Sequence, residues 1–272
     1  MPTYSNKTPL KPFLSLKMKN RLSAFLIHLL LSGVVAAIAV ILVFWIWYPM
    51  PLHSAVGVTE IFLILLSVDI VIGPMLTFVV YKPDKPSLKF DLTVIALLQL
   101  FALGYGINTV FQGRPAFVVF SKDRFEIARA SDIDPDSARK ALQSGNQTAQ
   151  TSWTSPRWVA AVASLDPKRD QEILFSAVQG GPDWPLLPEL FVPLTQVKEQ
   201  VLKKARPLQE LQQISSKNTG LNAETQDFAS LQDWQDKAVK WLPLRGKVKD
   251  MVVLVDAKSA AVIKVIDINP WP

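Results

Sequence analysis

The chain has 272 residues, with 29 Lys and Arg against 23 Asp and Glu, two His and no Cys. That length allows one or two domains. The absence of cysteine excludes disulfides, thiolate metal sites and cysteine nucleophiles. Both histidines, His28 and His53, lie in the apolar N-terminal part, so residues 54–272 hold neither a histidine-ligated metal nor a Ser-His-Asp triad. The composition therefore indicates no metal, cofactor or catalytic site of these kinds.

Three apolar segments precede residue 112, at about residues 22–48, 61–81 and 92–111. A helix rises about 1.5 Å per residue and the hydrocarbon core of a bilayer is about 30 Å thick, so each segment is long enough to cross it. The sequence therefore predicts a membrane protein with a basic cytoplasmic N-terminus (1–21), three transmembrane α-helices (22–112) and a C-terminal domain (113–272).

The flanking charges predict which way these helices face. Five basic residues and no acidic one precede the first segment, and the second loop carries Lys82, Lys85 and Lys89. The first loop, residues 49–59, contains no Lys or Arg. Because positive residues favour the cytoplasm, the N-terminus and the second loop are expected inside, and residues 113–272 outside.

A cleavable signal peptide is the alternative for the first segment, since Ala37-Ile38-Ala39 has the small-x-small form of a cleavage site. That triplet lies in the middle of the apolar run, which is longer than the roughly 7–15 residues of a signal sequence. An uncleaved anchor is therefore favoured. Residues 1–17 are expected to be an extension, and Met18 is an alternative start.

Asp69 is the most informative residue of the apolar half. An ionised carboxylate near the bilayer centre costs about 2.5–3.5 kcal/mol on insertion scales, so it needs a partner, a proton or water. Two alternatives stay open: a protonated Asp69 bonded to a neighbouring helix of this chain, or an Asp69 that receives a polar group from another protein. His28 is a possible internal partner, although its expected depth in the membrane does not match well. Gly73 and Pro74 follow, and a proline removes one helix hydrogen bond and bends the helix, which would leave a polar notch.

Small residues lie four apart on the first segment, at Ser32 and Ala36 and at Gly33 and Ala37. Such residues let helix backbones approach closely in lipid. Packing against the chain's own helices is one interpretation, and docking of another protein's transmembrane helix is the other. Asp69, Gly73, Pro74, Gly33 and Ala37 are the candidate partner-binding residues.

The C-terminal domain is predicted to be α+β, with two β-hairpins, several short helices and one four-stranded antiparallel sheet. The hairpins are expected at residues 116–128 and 250–268. Asp134 and Asp166, each followed by proline, are helix N-caps. A helix over 195–215 should break at Pro207, and a further helix is expected over 224–240.

Residues 113–272 contain no convincing catalytic motif. Ser137 and Lys140 have the Ser-x-x-Lys spacing of some acyl-transfer enzymes, but they fall in the first turns of a capped helix. This part has 21 basic and 19 acidic residues, which gives no indication of nucleic-acid binding. Four tryptophans could anchor a protein interface or a sugar, or lie in the core: Trp153, Trp158, Trp184 and Trp271.

Several stretches resemble type IV pilin accessory proteins, and the resemblance covers residues 18–272. In the membrane part they are Asp69–Thr77, Tyr81–Lys85, Leu88–Leu92, Gln99-Leu100 and Tyr105-Gly106. In the C-terminal domain they are Gly113–Val119, Asp123–Glu126, Leu242–Lys247 and Ile268–Trp271.

The resemblance implies a non-enzymatic, multi-pass protein of the bacterial inner membrane with a periplasmic C-terminal domain. It implies the major type IV pilin as partner, with the lipid bilayer and other pilus-assembly membrane proteins as further contacts. The alternative is a membrane-tethered periplasmic enzyme that acts on cell-envelope glycans. A sensor is disfavoured because no cytoplasmic output domain is present.

Overall fold

The computed structural model describes residues 13–218, 234 and 237–271. It divides the chain into two compact units. The first unit holds the residues up to Ile41 together with Glu60–Thr109, and the second holds Leu42–Thr59 together with the residues from Val110 onwards. The loop after the first apolar segment therefore belongs to the same unit as the C-terminal domain.

Three helical stretches are long and apolar enough to cross a membrane: Asn20–Trp47, Val58–Val80 and Leu88–Gln112. These stretches confirm the three predicted apolar helices. Two of them contain π-helical turns. Leu42–Trp47 ends the first stretch, and Val68–Ile72 lies within the second. The α-helices that compose them are α1 (Phe13–Ile41), α3 (Val58–Ser67), α4 (Gly73–Val80) and α5 (Leu88–Gln112), with a short α2 (Leu52–Val56) in the first loop.

The second unit is built on one mixed sheet of eight described strands. They are β1 (Pro115–Ser121), β2 (Arg124–Arg129), β3 (Arg157–Ala161), β4 (Phe191–Pro193), β5 (Arg206–Pro207), β6 (Val239–Arg245), β7 (Met251–Asp256) and β8 (Val262–Ile266). Their order is β4-β3-β1-β2-β6-β7-β8, and β5 pairs with β6 beside β2. The consecutive pairs β1–β2 and β7–β8 are antiparallel, whereas β1–β3 and β2–β6 are parallel.

The prediction of a single four-stranded antiparallel sheet was wrong, because the described sheet has eight strands and contains the parallel pairs β1–β3 and β2–β6. Parallel pairing is typical of a sheet that is covered on both faces. Every residue of β1 is buried. Val118 and Phe120 pack on the face that carries α8, while Phe117 and Val119 pack on the face that carries α7. A continuous apolar run of this kind is typical of a central strand buried on both faces. Strands β3, β4, β5 and β6 were not predicted, and Pro243 obscured the pattern of β6.

Four further helices accompany the sheet: α6 (Pro135–Gln143), α7 (Pro167–Val178), α8 (Lys198–Lys204) and α9 (Leu208–Asn218). The predicted N-caps are confirmed, since Asp134 accepts a hydrogen bond from the Ser137 N–H and Asp166 from the Lys168 N–H. The predicted break at Pro207 is confirmed, because it separates α8 from α9. The helix expected over 224–240 lies mostly outside the described residues, and its last two residues belong to β6.

The first loop is part of the core of the second unit. Leu52 and Ala55 of α2 are buried against the same apolar cluster as Val118. The Ala55 carbonyl accepts hydrogen bonds from the backbone N–H groups of Lys247 at 2.9 Å and Val248 at 3.0 Å. Gly246 permits this approach, because a Cβ there would lie 2.7 Å from the Ala55 oxygen. The sequence analysis did not predict this helix, although Leu52, Ala55 and Val56 have helical spacing.

We expect Asp132 to stabilise this junction in a pH-dependent way. Burial opposes ionisation of Asp132, but hydrogen bonds from Arg129 and Lys247 outweigh it and hold the pKa of that carboxyl below its usual value. The stabilisation is therefore complete above the unfolded pKa, about 3.9, and is lost as the pH falls through the folded pKa. Asp132→Asn should lower the free energy of unfolding by about 1–3 kcal/mol at pH 7. The difference from the unmodified protein should shrink below about pH 4.

Thermal unfolding in detergent across this pH range measures the effect. Asp136→Asn is the matched control, because the Asp136–Arg139 pair is exposed and exposed pairs contribute little. Equal stability of Asp132→Asn and the unmodified protein at pH 7 would contradict the assignment.

A candidate partner-binding site among the apolar helices

Helices α1 and α4 are joined by a polar contact within the first unit. His28 Nδ1 lies 2.6 Å from Thr77 Oγ1, and Thr77 is buried. The rings of Phe25 and Phe78 pack edge to face beside it, with centroids 6.1 Å apart. Since lipid offers no competing hydrogen bonds, such a contact holds two helices together. The hydrogen-bonding partner of His28 is therefore Thr77, which the sequence alone did not reveal.

The bend at Pro74 is completed by a side chain from α5. In a π-helical turn the Asp69 carbonyl would accept from residue 74, five positions on, but Pro74 has no N–H. Gln99 Nε2 donates to the Asp69 carbonyl at 3.2 Å instead. A Cβ at position 73 would overlap the Gln99 amide, so glycine leaves room for it. Gly73 and Pro74 are both buried, and the predicted polar notch is occupied by Gln99.

A cavity of about 240 Å³ lies beside this bend. Its polar lining residues are His28, Ser32, Asp69 and Gln99, and the remaining walls are apolar side chains of α1, α3 and α5. Asp69 Oδ2 and Gln99 Oε1 are buried, and neither has a hydrogen-bond partner within the part of the chain that the structure describes. Unpaired acceptors in an apolar setting are costly. A donor group that entered the cavity would therefore be bound by them.

The small residues of α1 divide between two surroundings. Ser32 and Ala36 line the cavity. Ala37 is exposed, Gly33 is half-buried, and a Cβ at Gly33 would meet nothing within 4 Å. The row formed by Gly33 and Ala37, one helical turn apart, is therefore a place where a foreign helix could approach the backbone of α1.

In the C-terminal domain, the described residues form no metal cluster, and the Ser-x-x-Lys spacing has a structural role. No three His, Cys, Asp or Glu side chains in the described part of the chain lie close enough to hold a metal ion. The Ser137 hydroxyl is fully buried and accepts a hydrogen bond from the Glu189 N–H at 3.0 Å. Lys140 pairs with the Glu189 carboxylate at 3.5 Å. The Ser-x-x-Lys spacing therefore serves the contact between α6 and residue 189.

Sequence reasoning missed an apolar surface on α7. Leu174, Phe175 and Val178 are exposed on this helix, and Leu165, just before it, is also exposed; we call these four residues the α7 ridge. On α7 only Ile173 faces the core. Positions 174 and 178 are one turn apart, as are 175 and 178, so they form one stripe. The tryptophans singled out from the sequence are mostly half-buried, and only Trp153 of the four is exposed.

Similarity to known proteins identifies the family. The family model of the fimbrial assembly protein FimB matches residues 16–57, which span α1 and the first loop. The fimbrial assembly protein of Dichelobacter nodosus serogroups C1 and C2 is 37% identical over 109 residues, which is 39% of this chain and 83% of that protein. The chain belongs to the fimbrial assembly protein family.

Longer alignments to this family cover both units of the chain. The fimbrial assembly proteins of D. nodosus serogroup I and serogroup E1 are each 28% identical over 243 residues, 85% of this chain and 92% of the relative. The names of these relatives describe assembly rather than catalysis. No solved structure matches, so the fold of this fimbrial assembly protein is argued from its own residues.

We expect Gly73 and Gln99 to act as one unit. Gly73→Ala places a methyl group where the Gln99 amide lies, and Gln99→Ala removes the amide, so both substitutions remove the same hydrogen bond to the Asp69 carbonyl. Each should lower stability by about 0.6–1.7 kcal/mol, and the double variant should lose no more than either single one. Thermal unfolding in detergent provides the double-mutant cycle.

Gly104→Ala on α5 is the control, because a Cβ there meets nothing within 4 Å and alanine favours a helix. It should leave stability unchanged or slightly raised. Additive losses at positions 73 and 99 would show that the two residues act independently.

Proposed function

We propose that this chain is a non-enzymatic accessory protein of the bacterial inner membrane that assists type IV pilus assembly by binding the major pilin. The names of its relatives support the assembly role. The observation that carries the pilin-binding part is the cavity at Asp69, where two buried acceptor atoms lack partners within the described residues. An intramembrane carboxyl group is by default a candidate functional site.

The proposed orientation has a cytoplasmic N-terminus and a periplasmic C-terminal domain. The basic residues before the first span and in the second loop support it. The packing of Leu52 and Ala55 into the core of the second unit supports only one part of it, the common side of the first loop and the domain. A loop buried in a domain lies on the same side of the bilayer as that domain, so the first loop and residues 113–272 share one compartment.

The membrane contact we propose is with the pilin's own helix. A pilin before assembly is a membrane helix with a globular periplasmic head. Its helix would lie along Gly33 and Ala37, where the α1 backbone is accessible, and would direct a hydrogen-bond donor to Asp69. Gly73 and Pro74 would contribute by producing the bend beside the cavity. Gln99 would stabilise that bend through its hydrogen bond to the Asp69 carbonyl.

The second contact we propose is between the α7 ridge and the pilin head. A stripe of large apolar side chains on one helix is the kind of patch that marks a protein interface. Phe175 and Val178 are 69% and 86% exposed, so little of their apolar surface is used by the domain itself. Aromatic and aliphatic anchors of this type supply most of the binding energy in many interfaces.

Asp69→Leu should weaken capture of the pilin. The substitution replaces the carboxyl group with an apolar side chain of similar size and so removes the acceptor. The loss of an interhelical hydrogen bond of about 0.6–2 kcal/mol corresponds to a roughly threefold to thirtyfold lower affinity. Asp69→Asn, which keeps a carbonyl oxygen, should retain more binding. The measurement is the amount of pilin recovered with the tagged protein from solubilised membranes.

Glu60→Gln is the matched control, because Glu60 is an exposed carboxylate on the same helical stretch and does not line the cavity. The level of each variant in the membrane must equal that of the unmodified protein. If pilin recovery and pilus number are unchanged in Asp69→Leu at equal levels, the membrane site is wrong.

The α7 ridge and the orientation can be tested together, since the chain has no cysteine. In the single-cysteine variant Phe175→Cys, a bulky membrane-impermeant maleimide applied from the periplasmic side should label position 175. Labelled protein should then recover several-fold less pilin than unlabelled protein, because the label covers the apolar surface. Lys258→Cys, in the exposed turn between β7 and β8, should be labelled equally without loss of capture.

The two claims fail in different ways. A variant that is labelled only after the inner membrane is opened would contradict the orientation. Full labelling at position 175 with unchanged capture would contradict the ridge as the docking surface, and would leave the orientation supported.

A further inference from the structure

The ends of the first and third spans are bound into the second unit. Trp47 is buried, and its ring packs on Phe111 at 4.8 Å and on Trp153 at 6.1 Å between centroids. The Tyr48 hydroxyl donates to the Val110 carbonyl at 2.6 Å. The C-terminal domain is therefore fastened directly to the segments that meet the membrane surface, with no free linker between the span ends and the sheet.

Four large apolar side chains lie exposed on this junction. Trp45, Met50, Trp153 and Val248 are 77%, 76%, 60% and 73% exposed; we call them the interfacial rim. Trp45 lies in the last turn of the first span, and Met50 follows it by five positions. Trp153 and Val248 come from distant parts of the sequence, so their position depends on the fold.

The two rim residues from the C-terminal domain, Trp153 and Val248, pack against residues next to span ends. The Trp153 ring packs edge to face on Trp47. Val248 packs over Gly57, where a Cβ would lie 2.6 Å from a methyl group of Val248, and Gly57 directly precedes the second span. Single exposed apolar residues on a soluble surface need no explanation. Exposed apolar residues next to the ends of membrane spans, however, lie where a bilayer begins.

The charges around Val248 indicate which zone of the lipid it meets. Lys247 and Lys249 flank it, and their ammonium groups pair with Asp132 at 2.9 Å and with Asp267 at 2.7 Å. The lysines are thus partly neutralised, so attraction to anionic headgroups is not the main force here. Tryptophan rings prefer the boundary between headgroups and acyl chains, because one part of the ring is apolar and its N–H is polar.

We propose that the interfacial rim is a lipid-binding surface: Trp153 and Val248 insert into the boundary zone of the adjacent phospholipid leaflet, beside Trp45 and Met50. This contact would hold the C-terminal domain against the bilayer at a defined tilt. It requires no partner protein and does not rest on pilin binding, so the two proposals can fail separately.

Site-directed spin labelling tests the contact on the full chain, which has no native cysteine. Trp153→Cys and Val248→Cys are labelled singly and placed in phosphatidylcholine nanodiscs without pilin. Collision rates with oxygen, which is concentrated in lipid, are compared with those of a water-soluble nickel chelate. The ratio of oxygen to nickel accessibility should be several-fold higher at 153 and 248 than in the control Leu165→Cys, which is fully exposed.

Adding phosphatidylglycerol to the nanodiscs should leave these ratios unchanged. Ratios at 153 and 248 equal to that of the control would overturn the proposal. Ratios that rise only with phosphatidylglycerol would also overturn it, because headgroup charge would then make the contact. Trp153→Cys removes a ring that packs on Trp47. A second variant, Thr154→Cys, therefore places the label at the exposed neighbouring position and keeps that ring.

Discussion

The carbonyl of Ala55 accepts backbone hydrogen bonds from residues 247 and 248, and this docking determines how the chain is organised. The segment between the first two apolar helices is thereby part of the core that the C-terminal sheet builds. A helix that continues into a loop buried in a domain cannot place that domain on the opposite side of a bilayer. The constraint is steric and covalent, and it places the first loop and the domain on one side of a bilayer without using charge.

Within the apolar helices the dominant constraint is that polar groups need partners inside the protein. His28 meets Thr77, and the carbonyl that Pro74 cannot satisfy receives the Gln99 amide. These contacts stabilise the bend. Asp69 Oδ2 and Gln99 Oε1, which belong to residues that line the cavity, remain without hydrogen-bond partners among the described residues. The backbone carbonyl at the bend is therefore satisfied by Gln99. The two side-chain acceptors beside it could still bind a hydrogen-bond donor.

The two units therefore carry different kinds of surface. The first unit offers a small polar site in an apolar wall, and the C-terminal domain offers the apolar α7 ridge. The proposed function assigns the first surface to the helix of a pilin and the second to its head. Within the second unit, Trp47 and Tyr48 pack on or bond to Phe111 and Val110.

The amino-acid sequence by itself determined the three apolar helices, the caps at Asp134 and Asp166, the break at Pro207 and the absence of cysteine chemistry. These features depend on hydropathy and on residues that act within one turn. Only the tertiary structure decided the parallel pairings of the sheet, the burial of Leu52 and Ala55, the roles of Gln99 and Thr77, and the exposure of the α7 ridge. The first three depend on contacts between residues far apart in the chain, and local patterns carry no information on which distant segment completes a contact. The exposure of the α7 ridge depends on which face of that helix the rest of the domain covers.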